Sequence, residues 1–246
     1  MFWEWWQGLF ADMGPSHFFN FSFLPKYGNA VIQGVEYTLI LSVISVLLAV
    51  LPALLLATMR LSKNRIIRSI SGAYIALFRS TPLLVQLMII YYGVFSVISI
   101  PRFMIFGFID STRFIPGIVA LSLNSAAYVA EIFRAGILAV DSGQTEAARS
   151  LGLSQWQCMK LVVLPQAIKN VLPALANEVV TMVKESSMCM VLGMSEIMFS
   201  AQTIAGSTWI TIGPYMIAAF LYFLITYPTS KVIEKIERRM RRGDKR

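Results

Sequence analysis

The sequence predicts an all-α integral membrane protein with five transmembrane helices and one distinctive cytoplasmic loop. Three observations carry this reading. The 246 residues are 57% hydrophobic and only 14% charged, whereas soluble domains sit near a quarter charged. Uncharged runs recur that are long enough to cross a hydrocarbon core of ~30 Å. The basic residues gather between those runs, so the net charge of +8 reads as membrane topology rather than as a surface for nucleic acid.

Residues 1–33 form an aromatic-rich segment with acids at Glu4 and Asp12 and one base at Lys26. Trp3, Trp5 and Trp6 suit an anchor in the outer membrane interface. The opening MFWEWWQGLF has neither a basic leader nor a small-residue cleavage site, so no signal peptide is expected. The first span runs from Tyr37 to Met59, 23 residues without a charge, with a kink expected at Pro52. A basic loop follows, RLSKNRIIRS, and the second span occupies the uncharged run between Arg79 and Arg102, opening on Ser80-Thr81-Pro82. The third runs from Phe114 to Ala130, meets Glu131, and stays apolar to about Val140. The fourth, Val171 to Ser195, is interrupted by Glu178, Lys184 and Glu185. The stretch from Ile197 to Ser230 is too long for one helix. Gly206, Gly213 and Pro214 divide it into a short outer re-entrant or interfacial segment and a fifth span, Tyr215 to Ser230. The domains expected are therefore 1–33, a transmembrane domain over 34–231, and a basic cytoplasmic tail over 232–246. Small residues at Gly72-Ala73 and from Ser122 to Ala127 allow close helix approach.

Charge sets the orientation. With the tail inside, five spans put the N-terminus outside. The inner side then holds 17 Lys and Arg, five in 60–79, four in 134–170 and eight in 231–246, against three outside at Lys26, Arg102 and Arg113. The positive-inside rule accepts no other arrangement. It also places the polar loop of residues 141–170 in the cytoplasm. In that loop a first helical piece, Gln144 to Leu151, carries Ala147 and Ala148 beside Glu146 and Arg149. Gly152 predicts a left-handed or closely approached backbone. Ser154 caps a second piece that runs to about Val163, where Leu164-Pro165 is expected to stop it. A helix–turn–helix on a membrane face is shaped to enter a groove on a partner.

The spacing of Glu146-Ala147-Ala148, Gly152, Val162 and Leu164-Pro165, with Gly143-Gln144 before and Gln166-Ala167 after, resembles the EAA loop of ABC importer permeases in the polar amino acid branch. Val162 departs from the usual Ile by one methylene. Arg79 to Leu87 (RSTPLLVQL) and Val183-Lys184-Glu185-Ser186-Ser187 are similar to the same branch. The resemblance implies a type I importer fold in which Glu146, Ala147, Ala148, Gly152, Leu153, Leu164, Pro165 and Ala167 couple to a cytoplasmic ATPase dimer. It further implies a second permease subunit, an extracytoplasmic amino acid-binding protein, and a bacterial inner-membrane location.

The chain itself shows no phosphate-binding loop, no Ser/His/Asp set around its one histidine, His17, and no metal motif at Cys158 or Cys189. It reads as a non-catalytic subunit without a cofactor of its own, ATP and Mg belonging to the ATPase. In the third span Asn124, Tyr128 and Glu131 share one helical face. With Gln86 in the second span and Lys184, Glu185, Ser186 and Ser187 in the fourth, they could line a path for a zwitterion. The other reading is that Glu131 pairs with Arg134 or Lys184 to neutralise a buried charge. A secondary transporter or channel remains the functional alternative; it would need internal repeats, and none is evident.

Overall fold

The computed structural model describes residues 2–11, 13–14, 17 and 19–242; Asp12 and the tail residues 243–246 lie outside the described residues. Helix dominates. After the aromatic helix α1 (Phe2–Leu9) comes α2 (Leu24–Arg60), 37 residues long. It starts well before Tyr37, with Pro25 in its first turn, where a missing N–H costs nothing. At ~1.5 Å per residue it outruns a ~30 Å hydrocarbon core. Pro52 lies inside the helix without ending it.

The basic stretch expected as a loop is instead helical: α3 spans Arg65–Ser80. Asn64 nucleates it, its side-chain oxygen accepting the N–H groups of Ile66 at 2.9 Å and Ile67 at 3.4 Å. The chain breaks at Thr81-Pro82 and resumes as α4 (Leu83–Met88), a π-turn over Ile89–Val94, and α5 (Phe95–Val97). The break bends the path by 106°. A short antiparallel ladder follows, β1 (Met104–Ile105) and β2 (Ile109–Asp110), with Ile105 opposite Ile109. Its turn holds Phe106 and Gly107 at positive φ. The sequence reading had no strand here. Asp110 closes the hairpin by accepting the Thr112 hydroxyl at 2.7 Å, and that bond, aided by Arg102 at 3.1 Å, holds its carboxyl below the usual range.

The remaining elements are α6 (Ser111–Leu138), α7 (Ser142–Ser150), α8 (Gln155–Cys158), a π-turn at Met159–Val163, α9 (Leu164–Glu185), a 3-10 turn at Ser186–Leu192, α10 (Ile197–Thr208) and α11 (Gly213–Arg242). One expectation changes. Leu164-Pro165 does not stop a helix, because the π-turn bonds the Leu164 N–H to the Met159 carbonyl. That wider turn leaves room for the pyrrolidine ring, and Pro165 falls in the first turn of α9. The basic tail is helical as far as it is described, since α11 carries on to Arg242. Among the described residues four helical stretches are long and apolar enough to cross a membrane, namely Leu24–Arg60, Ser111–Leu138, Gln155–Leu192 and Gly213–Met240. The bent pair Arg65–Ser80 and Leu83–Val97 makes a fifth.

The chain forms two compact units. The first comprises Met1–Ile44, Leu87–Ala120 and Met182–Pro228. Here α10 packs against α2 and α11 through Ile197, Ala201, Ile204 and Ala218. Gly34 makes the approach possible, since a Cβ there would stand 2.8 Å from Ser200 Oγ. Glu196, fully buried, caps α10 by accepting Met198 N at 2.8 Å and Phe199 N at 2.7 Å, and takes the Tyr222 hydroxyl of α11 at 2.9 Å. Tyr37 and Cys189 are the other ionisable groups whose fields meet it. The second unit comprises Ser45–Gln86, Leu121–Thr181 and Thr229–Arg246. Its core joins Ala49, Ala53 and Ala57 of α2, Ile75 of α3, and Ala126, Ala127, Val129 and Ala130 of α6. Small residues permit the close packing that membrane helices use.

Burial pushes the Glu196 carboxyl up to about 7, against the pull of its three donors. Folding therefore favours the protonated form, and the stability this group contributes is complete in acid and lost as pH rises through about 7. Thermal unfolding in detergent should show a midpoint that falls between about pH 5 and pH 7, with the slope flattened in Glu196→Gln. A slope unchanged by that substitution would remove Glu196 as its source.

Candidate functional site

The loop between α6 and α9 is built by its own caps. The Asp141 side chain accepts Gly143 N at 2.7 Å and starts α7. At the other end Gly152 N bonds Arg149 O at 3.0 Å and Leu153 N bonds Ala148 O at 3.2 Å. Those two bonds make a complete Schellman termination, which demands a left-handed residue at its centre. Gly152 supplies it with φ +87°. The left-handed half of the expectation is met, whereas close approach within the chain is not, since a Cβ at Gly152 would meet nothing within 4 Å. Ser154 then opens α8 with a capping box: Gln157 N donates to Ser154 Oγ at 3.3 Å, and Ser154 N donates to Gln157 Oε1 at 2.8 Å.

The EAA residues separate by exposure. Glu146, Ala147, Gly152 and Pro165 face outward, Leu153 and Leu164 are half-buried, and Ala148 and Ala167 are buried. The two buried alanines hold the loop, and Ala167 lies where α6 and α9 close on each other, its carbonyl 3.4 Å from a Cβ built at Gly136. Sequence reasoning missed two neighbours of the turn. Leu151 is 85% exposed and Trp156 69%, large apolar side chains on a polar loop. Their signal was present, since they are the only large apolar residues between Ala147 and Gln157 besides Leu153.

The expected pathway residues distribute over both units. In the second unit Asn124 Nδ2 donates to Gln86 Oε1 at 2.8 Å. Gln86 Nε2 in turn lies 2.9 Å from Phe78 O, 3.0 Å from Thr81 O and 2.8 Å from Thr81 Oγ1. Both side chains are buried, and their polar atoms serve the broken end of α3. Tyr128 lies under Arg79, whose Cζ is 5.4 Å from the ring centroid. Glu131 takes Arg134 Nε at 2.9 Å and Nη2 at 2.7 Å on one oxygen, Oε2. Of the two partners considered, the structure shows Arg134. Beside the stripe, Ser125 Oγ donates to the buried Glu178 at 2.9 Å, a pair sequence reasoning did not join. In the first unit Ser186 and Ser187 donate to the backbone oxygens of Val183 at 2.8 Å and Lys184 at 2.6 Å. Lys184 is exposed and Glu185 half-buried.

The family model described as binding-protein-dependent transport system inner membrane component matches residues 45–242. The putative glutamine transport system permease protein GlnP of Rickettsia typhi (strain ATCC VR-144 / Wilmington) is 39% identical over 210 residues, 85% of this chain and 92% of that protein. The arginine transport system permease protein ArtQ of Bacillus subtilis (strain 168) is 37% identical over 214 residues, 87% and 94% of the two chains. A crystal structure of an amino acid ABC transporter with histidines superposes with a TM-score of 0.81 at 42% identity, covering 89% of this chain and 98% of that one. The inward-facing MetNI methionine ABC transporter shares the fold at a TM-score of 0.69 and 20% identity, over 86% and 96% of the chains.

Gln86→Leu should strand the Phe78 and Thr81 carbonyls and free Asn124, at a cost of about 2–3 kcal/mol for several buried groups left unpaired. Detergent-solubilised protein would show it as a lower unfolding midpoint. A midpoint equal to that of the parent would mean that water satisfies the break.

Proposed function

The chain belongs to the family of binding-protein-dependent transport system inner membrane components, and we propose that it serves as the membrane-spanning permease subunit of an ATP-driven importer of polar amino acids. Relatives named for glutamine and arginine transport support the substrate class. In this reading ATP and Mg are held by a separate cytoplasmic ATPase dimer. A second permease subunit, identical or related, completes the membrane part, and an extracytoplasmic amino acid-binding protein delivers substrate. The N-terminus faces outward from the inner membrane and the C-terminal end of α11 faces the cytoplasm.

The observation that carries the coupling assignment is the Gly152 turn. A left-handed glycine with open space around it stands between two exposed apolar side chains, Leu151 and Trp156. The turn needs glycine for its left-handed backbone, and the open space beside it leaves room for a partner to approach. We assign ATPase docking to the exposed face of Glu146, Ala147, Gly152 and Pro165, extended by Leu151 and Trp156. Ala148, Leu153, Leu164 and Ala167 support it from beneath. For the substrate pathway Tyr128 and Glu131 stay as candidates in one unit, and Lys184, Glu185, Ser186 and Ser187 in the other. Gln86 and Asn124 are assigned to the wall, because the Gln86 amide nitrogen is committed to α3 and the Asn124 amide nitrogen to Gln86.

In vesicles reconstituted with the ATPase and binding protein, Gly152→Leu should abolish amino acid uptake and loosen the ATPase while the spans still insert. Gly152→Ala should retain part of both, since it carries the backbone strain with only one methyl. Normal uptake by the leucine variant would sink the docking assignment.

Orientation has a separate test. Phe106 is exposed in the hairpin turn whereas Ile109 beside it is fully buried, so the thiol probe belongs at 106. Phe106→Cys should label from the periplasmic side and Arg238→Cys only after permeabilisation. The native Cys158 and Cys189 are buried and give a low background. Equal labelling of both probes from outside would overturn the topology.

A further inference from the structure

We propose that α1 and Trp209 form an interaction surface for the membrane itself, with the exposed apolar face of α1 lying flat among uncharged lipid headgroups where α2 and α11 begin. In α1 the apolar side chains Phe2, Trp5, Trp6 and Leu9 recur with the period of one helical face, and Trp3 widens it. Glu4, Gln7 and Gly8 lie on the opposite side. Burial divides the apolar arc. Trp6 and Phe10 are half-buried: the Trp6 indole N–H donates to Phe21 O at 3.0 Å, and the Phe10 ring meets Phe21 edge-on with centroids 6.0 Å apart. Trp6 is thus the staple that holds α1, and Phe2, Trp3, Trp5 and Leu9 are left exposed.

The staple fixes where that face sits. Phe21 packs against the cluster of Phe23, Ile204 and Ile210, which joins the lead-in of α2 to α10 and to the approach to α11. Asn20 beside it closes on the start of α11, its carbonyl leaving no room for a Cβ at Gly213. From Gly213 to Ser230 α11 carries no charge, a run of ~27 Å as helix, close to the ~30 Å of a hydrocarbon core. Lys231 ends that run, so Gly213 and the turn at Asn20 and Phe21 stand at one boundary of the core. With 8 residues, α1 is ~12 Å long, too short to cross and suited to lie in the plane of that boundary.

Trp209 is an independent mark of the same boundary. It ends α10 just before α11 begins, left-handed at φ +59°, in a position where glycine is the usual residue. It is 79% exposed, while the next residue, Ile210, is buried in the cluster against which Phe21 packs. The headgroup layer suits an exposed indole, because it receives the apolar ring and the polar N–H together. Charge selects the lipid. Glu4 and Asp12 are acids, and no Lys or Arg precedes Lys26, so nothing in this segment attracts an anionic headgroup. The inference rests on the chain spanning a membrane and on no assignment of substrate or partner.

The test uses the full chain in phosphatidylcholine vesicles, with a nitroxide label at Leu9→Cys, Gln7→Cys or Trp209→Cys; the native cysteines are buried. None of the three substitutions touches the bond from Trp6 to Phe21, so α1 keeps its seat. Collisions of the label with oxygen, which concentrates in lipid, are compared with collisions with an aqueous nickel chelate. The ratio of oxygen to nickel collisions should be about threefold higher at positions 9 and 209 than at 7, as for an apolar face sunk ~5–10 Å into the interface. It should not change when phosphatidylglycerol is added to the vesicles. Equal ratios at 7 and 9, or a ratio at 209 no higher than at 7, overturn the proposal. So does weak collision with both probes at 9, which means that protein covers the face, from a second copy or another subunit. A ratio that rises with phosphatidylglycerol overturns the uncharged class of lipid. The measurement needs neither ATPase nor substrate, so its outcome is separate from that of the uptake assays.

Discussion

A backbone carbonyl deprived of its helical partner finds no water inside an apolar bundle, and each interruption of this chain's helices is built around that constraint. The break at Thr81-Pro82 is the clearest case. Pro82 brings no N–H, so carbonyls at the end of α3 lose their acceptor role within the helix. Gln86, one turn into α4, reaches back to Phe78 and Thr81 and is itself fixed by Asn124 of α6. The 3-10 turn after α9 ends at Gly193, whose carbonyl receives Arg113 Nη1 at 2.6 Å. The amides at the start of α10 that lack a helical partner go to Glu196. Polar residues in apolar runs are here, first of all, the partners of broken backbone.

The same rule explains why the coupling loop is so heavily capped. Its pieces are short: α7 has nine residues and α8 four, lengths at which an isolated helix does not hold in water. Asp141, the Schellman bonds around Gly152, and the Ser154–Gln157 box supply the missing end partners. Side chains needed for shape are thereby separated from those free for contact. Arg149 shows the division, donating to Leu153 O at 3.0 Å across the turn, while Leu151 beside it is left outside.

Long uncharged runs made the spans legible, because a bilayer imposes one length and one composition on any crossing helix. The loop was legible for a different reason: Gly152, Ser154 and Gln157 act on their immediate neighbours, and local chemistry is written locally. Where the reading failed, the deciding interaction was distant or the periodicity weak. RLSKNRIIRS carries four bases and reads as a loop, yet Asn64 caps it and Ile75 anchors the helix it opens to a core formed with α2 and α6. Leu164-Pro165 reads as a stop, yet a π-turn absorbs the proline. The hairpin at 104–110 has strands of two residues, too short for any alternation to register. Glu196 escaped notice as one acid at a span boundary. Its partner, Tyr222, lies 26 residues away.

A polar residue in a membrane span is ambiguous from sequence, since it either satisfies structure or meets substrate, and only its partners separate the two. Gln86 directs its amide nitrogen to the broken end of α3 and receives Asn124 Nδ2 on its oxygen. Glu131 has a different setting: sequence spacing placed it on a path for a zwitterion, and the structure gives it Arg134 as partner. Arg134 grips one of its oxygens, and the charges of Arg79 and Arg60 reach the same carboxylate. The arginines of α2, α3 and α6 thus set the electrostatic surroundings of the carboxylate in this stripe.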